Sequence, residues 1–163
     1  MSSNLEKKLR DERYRFFEKT LEKNSILFMG HHLDDLIETF FLRALRGSGI
    51  EGLSSIPKER AVGKGKLIRP FLNIPKSEIL AKAKKDKLKF IKDPSNKDIS
   101  FDRNYLRNKV LPQIENRWPS YRKNLNQLIE NLKESSDLLI THAEKDFNEV
   151  KVKKNLISLK KFL

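Results

Sequence analysis

Cysteine is absent from the 163-residue sequence. Its absence excludes disulfide bonds, thiolate metal sites, iron–sulfur clusters and any persulfide relay. Long apolar runs are absent too, since none approaches the roughly 18 residues of a membrane-spanning helix. The first ten residues are polar and charged, unlike a signal peptide. We therefore predict a cytoplasmic protein with no membrane association.

Acidic residues are also scarce. The chain has 22 Asp and Glu against 35 Lys and Arg, a formal net charge of +13. This excess favours a polyanionic partner, nucleic acid first. It is concentrated between residues 57 and 92, which hold 12 basic and 3 acidic residues, whereas residues 31–56 hold 2 and 4. The basic stretch is either a solvated face or a surface for a phosphate backbone.

The apolar pattern predicts alternating strands and helices up to about residue 92. The run at residues 25–30 is typical of a strand buried on both faces of a parallel sheet. The expected order is helix 5–22, strand 25–30, helix 34–46, strand 66–71, helix 75–87 and strand 88–91. This order predicts an α/β fold.

After the turn-rich residues 93–96 the pattern becomes helical to about residue 150. It predicts one long helix with a packed apolar stripe of Leu125, Leu128, Ile129, Leu132, Leu138, Leu139, Ala143 and Phe147. We therefore divide the chain into a partial α/β domain, residues 1–92, and a small helical domain, residues 93–163.

A polar cluster follows the first predicted strand. His31, His32, Asp34 and Asp35 open the next helix, and Glu38 comes one turn later. Ligands bind at this end of the strands in open α/β sheets. The residues alone allow three interpretations: a divalent-metal site, an acid/base cluster, or ordinary surface charge with Asp34 or Asp35 as the helix cap.

Arginines form a second candidate group. Arg103 and Arg107 are spaced four apart, share one face of a predicted helix and could grip phosphate together. Beside Asp102 they could equally form surface ion pairs. Arg46 precedes the Gly-Ser-Gly sequence that ends the helix predicted at residues 34–46.

Several motifs occur in a fixed order: GHHLDD and ET within residues 30–39, LRGSG at 45–49, RP at 69–70, DPSN at 93–96 and FDRNYLR at 101–107. Together they resemble the tRNA(Ile)-lysidine synthetases, over a stretch from about Arg10 to Trp118. Arg10 and Arg13 lie in a segment similar to the family's LRxxRYxFF sequence.

The resemblance implies the C-terminal part of a Rossmann-like, adenine nucleotide alpha hydrolase-like PP-loop domain, followed by a small helical domain. It implies that ATP adenylates C2 of the wobble cytidine in a tRNA(Ile) with a CAU anticodon, and that free lysine then displaces AMP. His31, Asp35 and Arg107 would be catalytic. Substrate and ATP would be bound by His32, Asp34, Glu38, Arg10, Arg13, Arg46 and Arg103. Mg2+ would be held by Asp34 and Asp35.

The sequence departs from this family in two ways. It lacks the SGGxDS loop whose backbone amides hold pyrophosphate, and it has Leu36 where the family commonly has Gln. We therefore expect a truncated product, inactive alone, whose sheet exposes an edge and an apolar face. That exposure predicts marginal stability or self-association, for example as a homodimer.

Three other functions are alternatives. A related family that thiolates tRNA cytidine needs cysteines, which this chain lacks. A metal-dependent phosphohydrolase would take ligands from distant segments, whereas the remaining histidine, His142, lies in the long helical stripe. A non-catalytic basic tRNA-binding module, or half of a split enzyme, is the third alternative and fits the isolated chain.

Overall fold

The computed structural model describes residues 2–54, 56–91, 93–153 and 156–157. Its helices are α1 (Ser2–Thr20), α2 (Leu33–Ala44), α3 (Ile50–Leu53), α4 (Lys76–Lys85), α5 (Asp102–Tyr105), α6 (Leu111–Arg117) and α7 (Tyr121–Val150). A 3-10 turn spans Pro94–Lys97 and a π-helical segment spans Leu106–Val110. The strands are β1 (Ile26–Phe28), β2 (Glu59–Val62), β3 (Gly65–Ile68), β4 (Lys151–Lys153) and β5 (Leu156–Ile157). No described helix is both long and apolar enough to cross a membrane.

The main sheet is small and mixed, with strand order β1-β3-β2. β1 and β3 are parallel and confirm the strands predicted at residues 25–30 and 66–71, with shorter bounds. β2, which was not predicted, pairs antiparallel with β3. The two-residue turn between them has Gly63 at φ +56, and a β-carbon there would lie 2.3 Å from the Glu18 carbonyl oxygen. This close approach requires glycine and seats the hairpin against α1.

Two predictions for the sheet are wrong. Residues 88–91 form no strand, because this short run of three apolar residues and one lysine has no strand to pair with in the described part of the chain. β1 is not buried on both faces, since Ile26 is 53% exposed and Phe28 is 64% exposed. Among the described residues nothing covers that face of β1.

The core lies around α2 rather than around the sheet. α2 begins at the predicted place and buries Leu33, Leu36, Ile37 and Phe40. These side chains belong to one cluster that also contains Leu72, Leu106, Leu111, Tyr121 and Ile129. Apolar residues at helical spacing thus join α2 to the helices after residue 100, and this packing fixes the polar start of α2 against them.

A change of helical type interrupts the helix between residues 102 and 117. The Leu111 N–H donates to the carbonyl of Leu106, five residues earlier. Pro112 explains the change, because it has no N–H to give to residue 108 and its ring crowds that carbonyl in a regular α-helix. The wider turn contains Arg107, so the irregularity falls at a predicted site residue.

α7 confirms the predicted long helix, but the predicted stripe is packed only in part: Leu128 is already 42% exposed, and the apolar residues from Leu138 to Phe147 are exposed as well. Ile129 is buried, whereas Leu138 is 62% exposed and Phe147 is 52% exposed. The later residues are exposed because α7 packs on α2 and α3, and these two helices cover only part of its 30 residues. The division of the chain at residue 92 stays a prediction.

Candidate active site

Charged side chains gather where β1 and β3 end. His31 follows β1, and Arg69 follows the parallel strand β3, so the two lie side by side. Arg69 is only 3% exposed and donates from Nε to Nδ1 of His31 at 3.3 Å. It also donates to the Pro57 carbonyl at 2.6 Å and to the Tyr14 hydroxyl at 3.3 Å. These bonds hold the guanidinium in one orientation.

His31 is held in its neutral form. Its Nδ1 accepts from Arg69, which leaves the ring proton on Nε2. Burial lowers the pKa of His31, and the positive charge of Arg69 lowers it further, against the opposing effect of Asp35. A neutral imidazole with a proton on Nε2 is a hydrogen-bond donor to a ligand, not a cation.

The start of α2 is fixed by a reciprocal pair of hydrogen bonds. The Asp35 N–H donates to Nδ1 of His32 at 3.3 Å, and the His32 N–H donates to Oδ2 of Asp35 at 3.1 Å. His32 is therefore the N-cap, and the prediction of Asp34 or Asp35 as the cap is wrong. The aspartate at this position completes a capping box instead, because its side chain reaches back over the first turn.

Asp34 ties three helices together. Its Oδ2 accepts the backbone N–H of Lys76 at 2.7 Å, at the start of α4, and its Oδ1 accepts Nε of Arg122 at 3.0 Å, on α7. Burial alone would raise the pKa of Asp34, but these two donors outweigh it and the pKa lies below its usual value. Both carboxylate oxygens are thus engaged within the protein.

Glu38 is the most deeply buried charge in this region, with 0% exposure. Arg107 binds it with two parallel hydrogen bonds, Nε to Oε1 at 2.6 Å and Nη2 to Oε2 at 2.8 Å. Arg103 adds a contact of 3.4 Å to Oε2 and donates to the Thr39 hydroxyl at 2.8 Å. Two guanidiniums therefore share one buried carboxylate, and its hydrogen bonds raise the pKa of Arg107.

Arg107 also links the cluster to residues 93–96. Its Nη1 donates to the Asn96 side-chain oxygen at 3.1 Å, while its Nη2 lies 3.5 Å from Oδ1 of Asp35. Asn104 donates to the Ser95 carbonyl at 2.9 Å and so holds the same turn. The DPSN and FDRNYLR motifs therefore form one structural unit beside the start of α2.

A cavity of about 90 Å³ opens beside this unit. Its lining includes Asp34, Glu38, Arg107 and Arg122, together with Tyr121. The Tyr121 hydroxyl is buried and has no hydrogen-bond partner among the described residues, and burial raises its pKa. A larger cavity of about 230 Å³, lined by Leu36, Ile129 and Lys133 among others, contains none of the predicted site residues.

The predicted residues fall into two groups. The structure brings together His31, His32, Asp34, Asp35, Glu38, Arg103 and Arg107. Arg10 lies on α1, 5.7 Å from the Tyr14 ring, and helps lower the pKa of His31. Arg13 is exposed on α1, and Arg46 is exposed and 3.5 Å from Asp102. We refer to the first group, with Arg69 and Arg122, as the charge cluster.

Sequence reasoning missed Arg69 and Arg122 as members of the charge cluster. Arg69 could have been found, because it is the first residue of the RP motif and directly follows a strand parallel to β1. Arg122 had no such signal: it lies 88 positions from Asp34, near the start of a helix whose pattern indicates only packing.

A resident metal does not fit the described side chains. No group of three or more His, Asp or Glu among the described residues is arranged to hold a metal ion. Asp34 gives both oxygens to N–H donors, and Asp35 faces the His32 N–H and Arg107. Divalent cations prefer several free carboxylate or water oxygens, which these paired groups do not supply.

The fold is an α/β domain whose charge cluster lies at the carboxyl ends of two parallel strands, where ligands bind in open α/β sheets. Comparison with known protein families identifies which family of α/β domains this is. The model of the PP-loop domain, an ATP-binding family, matches residues 1–114, and the chain belongs to this family.

Several similar proteins carry the name tRNA(Ile)-lysidine synthase. One from Pseudomonas fluorescens (strain Pf0-1) is 39% identical over 147 residues, which is 90% of this chain and 33% of the relative. One from Pseudomonas putida is 42% identical over 88% of this chain and 34% of the relative. One from Buchnera aphidicola subsp. Acyrthosiphon pisum is 48% identical over 76% of this chain and 28% of the relative. The chain thus spans about a third of the length of the curated relatives it matches.

Proposed function

We propose that this chain supplies part of the active site of a tRNA(Ile)-lysidine synthase. The reaction would join free lysine to C2 of the wobble cytidine in tRNA(Ile) with a CAU anticodon, through an adenylated intermediate. The observation that carries the proposal is the buried Glu38, which holds Arg107 beside Asp35 at the end of the β1 and β3 pair. The name that the relatives share supports the same reaction.

The arginines would act on phosphate. Arg103 and Arg107 are oriented by Glu38 before any ligand arrives, so their donors need no rearrangement as negative charge develops on a leaving AMP. Guanidinium groups also match the oxygen geometry of phosphate better than an ammonium does. Arg107 would be catalytic, and Arg103 would bind substrate.

The carboxylate and the imidazole would act on the other reactants. Asp35 is only loosely engaged by Arg107, at 3.5 Å, so its negative charge can attract and orient the ammonium group of lysine. His31, neutral and with its proton on Nε2, would donate a hydrogen bond to the substrate. His32 and Asp34 would keep these groups in position, through the capping box and the bond to Arg122.

Several finer features belong to the same proposal. Mg2+ would enter with the phosphates of ATP, not on a site of its own, because both oxygens of Asp34 and Oδ2 of Asp35 already accept N–H donors. The sheet would continue as a Rossmann-like parallel sheet, with a helical domain after residue 92. The reaction would take place in the cytoplasm, where tRNA and ATP are found, and the protein would act as a homodimer.

The test is lysine incorporation into tRNA(Ile). The chain is incubated with tRNA, labelled lysine, ATP and Mg2+, alone and with a separately expressed segment that contains the SGGxDS loop. We expect incorporation only with the added segment, and its loss in Arg107→Lys with the fold unchanged. Because the chain spans about a third of its relatives, the second candidate is a non-catalytic tRNA-binding module. Retained tRNA binding without incorporation under either condition would support that candidate and overturn the first.

A further inference from the structure

Residues 84–91, which we call the basic segment, expose cations and apolar groups together. The segment contains four lysines, at positions 84, 85, 87 and 89. Its three large apolar side chains are exposed as well: Leu88 by 60%, Phe90 by 45% and Ile91 by 96%. Exposed apolar side chains rimmed by charged residues are typical of interaction surfaces.

The backbone at the start of the segment gives an independent indication. α4 ends with the Leu88 N–H donating to the Ala83 carbonyl at 2.9 Å and the Lys87 N–H donating to the Lys84 carbonyl at 3.1 Å. At a helix end with these two hydrogen bonds, the residue before Leu88 adopts the left-handed backbone conformation, and glycine is the usual residue there. Here that residue is Lys87, with φ +53. A non-glycine residue held in this conformation carries backbone strain, and such strain often occurs at functional sites.

The lysines of the segment are available to a partner. Lys82, just before it, is engaged by Asp86 at 2.8 Å. Within the part of the chain that the structure describes, no hydrogen bond or ion pair engages the side chains of Lys84, Lys85, Lys87 or Lys89. No described residue therefore pairs with these four charges.

The segment also lies within reach of the charge cluster. The first residue of α4, Lys76, donates its N–H to Asp34 at 2.7 Å. α4 has ten residues, so its far end is about 15 Å away along the helix at 1.5 Å per residue. A ligand that fills the cluster and extends a few nucleotides along α4 would meet the basic segment.

We propose that the basic segment binds unpaired nucleotides of an RNA, with its lysines on phosphates and Phe90 stacked on a base. Lysines attract the phosphate backbone of any nucleic acid, but an exposed aromatic ring needs an unstacked base, which a closed duplex does not offer. The inference rests on the proposed function only in taking the RNA to be a tRNA. It assigns to residues 84–91 the recognition of a single-stranded loop.

The test compares two RNAs and four variants. The RNAs are a hairpin with an unpaired loop and the same stem as a blunt duplex, and binding to the whole chain is followed by fluorescence anisotropy at several salt concentrations. Phe90→Ala should weaken hairpin binding about 5-fold or more, the lower range of base–aromatic stacking, and leave duplex binding unchanged. Lys87→Gly should reduce the log–log salt slope by about 0.7, the value for one phosphate contact on a single strand.

Lys87→Gly keeps the test independent of folding, because glycine relieves the strained φ and should leave the unfolding midpoint equal or higher. Asn24→Gly is its matched control, since Asn24 also has a positive φ, +67, but carries no charge. Lys145→Gln, on the exposed part of α7, controls for the loss of one positive charge. Both controls should bind like the unaltered chain.

Equal binding of hairpin and duplex by the unaltered chain, or a Lys87→Gly variant that matches the controls, would overturn the proposal. Hairpin preference that is lost in Phe90→Ala would support it. This result is separate from the incorporation assay: loop binding without lysine incorporation would uphold the basic segment and count only against the proposed reaction.

Discussion

Glu38 is fully buried, whereas Phe28, ten positions earlier, is 64% exposed. The charge cluster around Glu38 and the apolar face of β1 thus reverse the usual distribution of side chains. In the cluster, each buried charge has several partners of opposite charge or polarity, such as the two guanidiniums on Glu38. On β1, the apolar side chains have no such neighbours among the described residues. A charged side chain near this site is buried because it has partners, and an apolar one on β1 is exposed because the described residues give it none.

The largest effect should come from breaking the cluster at its centre. Glu38→Ala leaves Arg103 and Arg107 without their shared carboxylate, and we expect it to cost about 3–5 kcal/mol of unfolding free energy, as for other broken buried ion pairs. Urea unfolding followed by circular dichroism measures the loss. Glu144→Ala, at an exposed position on α7, is the matched control and should change little. Equal costs at both positions would contradict the role given to Glu38.

An intermediate effect should follow at Asp34. Asp34→Asn weakens the bonds to Arg122 and Lys76, and we expect a loss of about 1.5–3 kcal/mol at neutral pH, the range for hydrogen bonds to charged groups. The folded-state pKa of Asp34 is lowered, so its contribution is complete above the unfolded pKa near 3.8 and is lost as pH falls through the lower folded value. The stabilities of the two proteins should therefore start to approach each other as the pH falls below about 4, and should converge only once it lies below the lowered folded-state pKa of Asp34.

Unfolding curves between neutral and acid pH measure this convergence. Asp102→Asn is the control, because Asp102 is 75% exposed and only loosely paired with Arg46. A gap between Asp34→Asn and the unaltered chain that stays constant down to acid pH would show that the carboxylate charge is not what stabilises the fold.

The smallest effect on stability should come from the apolar face of β1. Phe28→Thr keeps the preference for a strand and removes an exposed ring, so we expect a change in unfolding free energy of at most about 0.5 kcal/mol. It should nevertheless reduce the self-association that the exposed face predicts, as measured by sedimentation velocity. A monomeric unaltered chain would contradict the predicted self-association, and a cost close to that of Glu38→Ala would contradict the contrast between the two regions.

The sequence predicted elements well where a local pattern suffices. α2 follows from the helical spacing of Ile37 and Phe40, and β1 and β3 from short apolar runs. β2 was missed because Glu59 and Arg60 are polar, although the Gly63 turn was a usable signal. A strand was wrongly expected at residues 88–91, since a short, mostly apolar run cannot by itself supply a partner strand.

The charge cluster was predicted in part for a similar reason. That His31, Asp35 and Glu38 would share a site with Arg103 and Arg107 was expected, because their motifs occur together in a recognised order, whereas Arg69, the partner of His31, was missed. Arg122 was not, since its bond to Asp34 depends on where α7 packs, and that packing is decided by long-range apolar contacts with no local signature. Residue roles within the cluster stay predictions.

The π-helical segment at Leu106–Val110 has a consequence for the register of the helix that contains it. Each residue of an α-helix advances the direction of its side chain by about 100°, and the extra residue of the wider turn shifts everything after it by that angle. Arg103, before the shift, faces Glu38, while Leu111 and Ile114, after it, face the apolar core. A deletion of one residue between positions 106 and 111 would therefore rotate the later residues by about 100° relative to the earlier ones. Arg103 could then no longer face Glu38 while Leu111 and Ile114 face the core, although none of these residues had been replaced.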